Sequence, residues 1–151
     1  MKERTLCREE MRRDLMRVYG EVYRNLPMGT TQTEVYELVV QQPARRFYVD
    51  PRRAHLIISG MTRGDMSGLR QLSPLKQQMY RDLYEKVMEM SQRKGFWGKR
   101  LFFILREAVL EPAPRFYISA KRMEQIWKEK TYENRQQRYR RTGKPYEKTD
   151  D

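Results

Sequence analysis

The stretch "PARRFYVD" at 43–50 recurs, 69 residues later, as "PAPRFYIS" at 112–119. Each copy is built to stop one helix and start another. Pro43 and Pro112 push the preceding residue out of the helical region and end the helix before them. The residues that follow alternate, with Arg46 and Tyr48 on one side and Phe47 and Val49 on the other, the period of a short extended segment. Asp50, followed by Pro51, is a helix N-cap with proline at the first helical position. Ser119 takes the same place in the second copy.

Outward from this joint the repetition continues. "MRRDLMRV" at 11–18 matches "MYRDLYEK" at 79–86 with an offset of 68, so Met, Arg, Asp and Leu coincide. At the offset of 69, Val35, Tyr36, Val39 and Val40 align with Ile104, Leu105, Ala108 and Val109, and Ala54, Ile57 and Ile58 align with Met123, Ile126 and Trp127. One extra residue in a loop reconciles the two offsets. The pattern is long helix, short helix, P-A-x-R-F-Y, helix, written twice.

Hydrophobic spacing fills in the elements. A first helix runs from about Leu6 to Asn25, apolar at Met11, Leu15, Val18, Tyr19 and Val22, and Pro27 and Gly29 break it. "TQTE" at 31–34 is a capping box for a second helix reaching about Gln41. A third opens at Pro51. "GMTRGDMSGLRQLS" is rich in turn formers and reads as a linker. Ser73-Pro74 opens a fourth helix to about Lys94, "KRLFFILREAVLE" makes a fifth, and a sixth begins near Ala120 and reaches about Arg141. The expected fold is all-α, with about six helices in two pseudo-repeated helix-turn-helix-like halves sharing one core, and a minimal two-stranded ribbon where the R-F-Y segments pair. The expected organisation is 1–60 first repeat, 61–73 linker, 74–130 second repeat, and 131–151 a basic extension whose last ten residues are disordered.

Charge is the dominant global property. The 151 residues carry 32 Lys and Arg against 20 Asp and Glu, a net charge of +12. The excess is spread, with 13 basic residues against 9 acidic in 1–70, 13 against 7 in 71–130 and 6 against 4 in 131–151. A field of that sign attracts polyanions, nucleic acid first. No stretch approaches the length of a membrane span, and the start lacks an apolar signal segment. With the lone Cys7, which can form no internal disulfide, this points to the cytoplasm.

Catalytic signatures are missing. One His and one Cys, placed in separate helices, cannot supply the usual zinc sets and leave His55 without an evident nucleophile. "SGMTRGDMSG" lacks the spacing of a phosphate-binding P-loop. A non-catalytic protein with neither cofactor nor metal is expected.

Candidate binding residues follow from the repeat. If Ala54, Ile57 and Ile58 face the core, then Arg52, Arg53 and His55 project outward, as do Lys121, Arg122 and Gln125 in the second copy. Cations in the first turn oppose the helix dipole. They stand where helix-turn-helix proteins meet bases and phosphates. Arg45 is a further candidate for nucleic-acid contact, while Arg46 and Arg115, in the joints, either contact phosphate or pair internally. An Arg–Asp pair with Asp14 or Asp82, repeated in both copies, is the economical structural reading. The C-terminal "RQQRYRRTGK" interleaves Arg135, Arg138, Arg140 and Arg141 with Tyr139, a composition suited to phosphate contact and base stacking. The functional expectation is nucleic-acid binding, DNA favoured over RNA, through tandem helix-turn-helix-like units. The alternative is an RNA-binding or assembly subunit docked on RNA or on an acidic surface of a larger complex.

Overall fold

The computed structural model describes residues 3–142. Among them are seven α-helices and no strand: α1 (Glu3–Arg24), α2 (Gln32–Gln41), α3 (Pro51–Thr62), α4 (Ser67–Arg70), α5 (Pro74–Ser91), α6 (Leu101–Ala108) and α7 (Ala120–Thr142), with a single 3₁₀ turn at Lys94–Phe96. The protein is all-α.

Helix starts follow the local chemistry of the sequence. The Thr31 hydroxyl accepts the Glu34 amide at 3.3 Å while Glu34 accepts the Thr31 amide at 3.1 Å, a closed capping box. Asp50 accepts the Arg52 amide at 2.9 Å, and Ser119 the Arg122 amide at 3.1 Å. One expectation needs correcting. The stretch read as a linker holds the end of α3 and a seventh helix, α4, ahead of which Asp65 accepts the Ser67 amide at 3.0 Å and in which Leu69 is buried. The helix expected from near Ala120 to about Arg141 is α7, which runs on through the basic residues as far as Thr142. The disorder expected at the C-terminus falls, from residue 143 on, outside the described residues.

The two joints meet. Ala44 and Ala113 exchange backbone hydrogen bonds in both directions, at 2.9 and 3.0 Å. The Phe47 amide donates to the Val109 carbonyl at 2.9 Å, and the Phe116 amide to the Val40 carbonyl at 3.0 Å. Phe47 stacks on Tyr117 with centroids 6.2 Å apart, and Phe116 on Tyr48 at 5.8 Å. Each contact has a counterpart at the 69-residue offset. In place of the expected ribbon there is one antiparallel bridge, set at the alanines before R-F-Y. The reason is local: Pro43, Pro112 and Pro114 flank that bridge and carry no N–H to extend a ladder.

Helices far apart in the chain pair. α2 packs on α1 and α7, and α3 on α4, α5 and α6. Each helix flanking a joint is thus backed mainly by helices other than its neighbour across that joint. One continuous hydrophobic cluster results, with Leu15, Leu83, Phe47, Phe116, Ile58, Met123 and Ile126 fully buried.

The alternation in the joint survives: Phe47 and Val49 are buried, whereas Arg46 and Tyr48 are half-buried. Tyr48 donates its hydroxyl to Asp14, and Tyr117 donates to Asp82 at 2.5 Å. Burial, then the neighbouring carboxylate, pushes both phenols well above the usual tyrosine value. A group with a raised folded-state pKa contributes stability that is intact below its unfolded pKa of about 10 and is lost as pH rises beyond it. The melting temperature is therefore expected to fall more steeply above pH 10 in the natural protein than in the Tyr48→Phe/Tyr117→Phe variant, as followed by circular dichroism. Parallel pH profiles would show that these phenols do not report on folding.

Candidate functional site

Arg45 and Arg46 are tied to α1. Arg45 pairs with Glu10, and its Nε lies 3.2 Å from Asp14. Arg46 reaches Glu10 at 3.2 Å, and its Nε donates to the Phe47 carbonyl at 3.1 Å. Arg115 donates in the same way to the Phe116 carbonyl at 3.1 Å, but has no ion pair among the described residues. The expected Arg–Asp pair common to both copies is therefore corrected. What recurs is Tyr–Asp, with Asp82 accepting from Tyr117 and from Gln78 at 2.8 Å. The cause lies in two substitutions at the repeat offsets, Gln78 for Glu10 and Pro114 for Arg45.

The first turns of α3 and α7 are more open. Arg52 and Lys121 are exposed and make no ion pair among the described residues. Arg53 lies close enough to Tyr80 to hold its phenol down, although burial dominates and raises it. Arg53 also lines a cavity of about 200 Å³ with Arg8 and Lys76. The one carboxylate there, Asp50, is engaged by the Arg52 amide. His55 is half-buried, edge-on to Phe102 at 5.8 Å. Arg122 bonds Gln125 at 3.2 Å and lies 3.8 Å from Glu129. The four arginines of the last turns of α7, Arg135, Arg138, Arg140 and Arg141, are exposed, and Glu133 is the only acid among residues 131–142. Because α7 runs along α1, held by Tyr19 on Trp127 at 3.9 Å, Arg12–Glu129 at 3.2 Å and Lys130–Glu9 at 3.5 Å, these arginines ride on a continuous helix.

No protein-family model matches the chain, and no curated protein or solved structure shows significant similarity to it. The surface must speak through its own chemistry.

One basic surface escaped the sequence reading. Between Glu89 and Glu107 there is no acid, while five cations and four aromatic residues occur: Arg93, Lys94, Lys99, Arg100 and Arg106 with Phe96, Trp97, Phe102 and Phe103. Trp97 is 65% exposed and Phe103 42%. The acid-free run was the available signal. It was obscured because α6 opens with five apolar residues in a row, Leu101 to Leu105, and packing shows that Ile104, Leu105 and Ala108 take the core while the phenylalanines face out. Among the described residues, no helix is long and apolar enough to cross a membrane.

Proposed function

We propose that this chain is a non-catalytic nucleic-acid-binding protein, DNA favoured over RNA, that grips phosphates through the first turns of α3 and α7 and the basic last turns of α7. The carrying observation is the pair Arg52 and Lys121. Both are exposed, lie at matching positions after the two joints, and lack a carboxylate partner among the described residues. Each sits where the helix dipole disfavours a cation. A phosphate at either site would turn this local electrostatic cost into attraction. The helices that carry them are backed by other elements than in a simple helix-turn-helix: α3 by α6, and α7 by α2.

The test is fluorescence anisotropy with duplex DNA, duplex RNA and single-stranded RNA across a salt series. Neutralising Arg52, Arg53, Lys121 and Arg122 to glutamine should flatten the slope of log affinity against log salt for duplex DNA by about 3–4. Affinity at low salt should drop at least about tenfold, and single-stranded RNA should lose less. Equal loss on both ligands, or none, would remove these first turns as duplex contacts. If the natural protein binds no nucleic acid at low salt and co-purifies with one protein, the assembly-subunit reading replaces this one.

A further inference from the structure

We infer that the segment 93–106, with the outward face of α3, is a stacking surface for single-stranded nucleic acid. The inference rests on the nucleic-acid reading above and adds a second contact surface, for unpaired strands, not foreseen from the repeat.

The geometry begins at Arg93, which reaches Glu89 at 2.9 Å and Glu111 at 3.2 Å and so fixes the start of the segment against α5 and the end of α6. The Trp97 indole N–H donates to the Gln92 carbonyl at 3.0 Å. Its polar atom is satisfied within the chain while the ring stays 65% exposed, so the indole is oriented but uncovered. Gly98, at φ +72°, turns the backbone three residues ahead of α6, a conformation that glycine adopts without strain. Phe103 is held 6.1 Å from Phe96, with the Lys99 ammonium 5.2 Å above its ring. Phe102 meets the edge of His55. Through this contact the surface continues onto α3, where Arg52, His55 and Leu56 share one face at i, i+3, i+4 spacing, Leu56 being 73% exposed.

Charge selects the occupant. Lys94, Lys99, Arg100 and Arg106 are exposed and have no ion pair among the described residues. The core of a protein–protein interface is depleted in lysine, whereas here a lysine, Lys99, stands over an exposed ring, Phe103. Duplex nucleic acid satisfies the cations but leaves the rings idle, because its bases are already stacked on one another. A single strand offers phosphates to the cations and base faces to the rings at once, and such stacking is indifferent to sequence.

The experiment uses an oligothymidylate of about 15 nucleotides, the matching oligouridylate, and a duplex of equal length, each labelled with fluorescein. Trp97→Ala and Phe103→Ala should each weaken oligothymidylate binding by about tenfold while leaving duplex affinity and its salt slope unchanged. Both positions are solvent-facing, and circular dichroism melts verify that the fold is retained. The oligothymidylate should also quench tryptophan fluorescence, and the quench should vanish in Trp97→Phe, which leaves only Trp127 stacked on Tyr19. Equal losses on duplex and single strand, or no loss on the single strand, overturn the stacking surface while the nucleic-acid reading stands. If the natural protein binds none of the three ligands, both fall. If a protein is captured through Trp97 and Phe103 with no oligonucleotide quench, the surface is a protein-docking site instead.

Discussion

Replacing Phe116 with alanine should cost about 3–5 kcal/mol of folding stability, and the same change at Phe47 a similar amount. Each ring is only 1% exposed, and each sits between the joint that carries it and the opposite joint. Truncation removes a buried ring and also uncovers the tyrosine stacked on it: Tyr48 for Phe116, Tyr117 for Phe47. Those tyrosines hold Asp14 and Asp82, so the damage reaches α1 and α5. A domain of this size is stable by about 5–15 kcal/mol, so the double variant should be largely unfolded at room temperature. Urea titration followed at 222 nm reads both effects. A loss below about 1 kcal/mol for the single variants would show that the rings are not central to the core.

The second large effect is expected at Ala113. It is buried at 2% exposure, and its partner across the bridge, Ala44, at 3%. Ala113→Asp would place a carboxylate among apolar side chains with no cation built to meet it. A buried, unpaired charge costs several kcal/mol or forces the carboxyl to stay protonated. Ala113→Asp should therefore be unfolded or barely folded at neutral pH. The sign of its pH dependence follows: the folded state raises the pKa of the new carboxyl, so stability is greatest below the unfolded value of about 4 and is lost as pH rises. Ala113→Ser, which brings a small hydroxyl without charge, should cost far less. Thermal melts of both variants between pH 4 and 7 decide the matter. A stable Ala113→Asp protein at pH 7 would mean that the bridge is open to solvent.

Much of this architecture was legible because it is local. Thr31 with Glu34, Asp50 with Pro51 and Ser73 with Pro74 each contain their whole instruction within four residues, and all three start helices where expected. The joint was legible because it is written twice. By contrast, the pairing of α2 with α7 and of α3 with α6 depends on contacts between residues far apart in the chain, which hydrophobic periodicity cannot register. The tie of Arg45 and Arg46 to Glu10 was hidden for the same reason: the repeated R-D-L pointed to Asp14, whereas Glu10, one turn earlier in α1, has glutamine at the matching position, Gln78. α4 was missed because Gly and Ser signals outweigh four residues of helix. At α6, the unbroken apolar run from Leu101 to Leu105 hid the outward phenylalanines among core residues.

The pairing of α2 with α7 also bears on how the chain is made. α2 carries Val35, Tyr36, Val39 and Val40, all buried in the finished protein. The part of that cover supplied by α7 does not exist until the ribosome has added roughly 90 more residues, a wait of about 5–20 seconds at ordinary rates of synthesis. During that interval the nascent chain offers an apolar helix face to whatever is near, including a second nascent copy with the same exposed face. The apolar face of α2 is fully covered only once α7 has emerged.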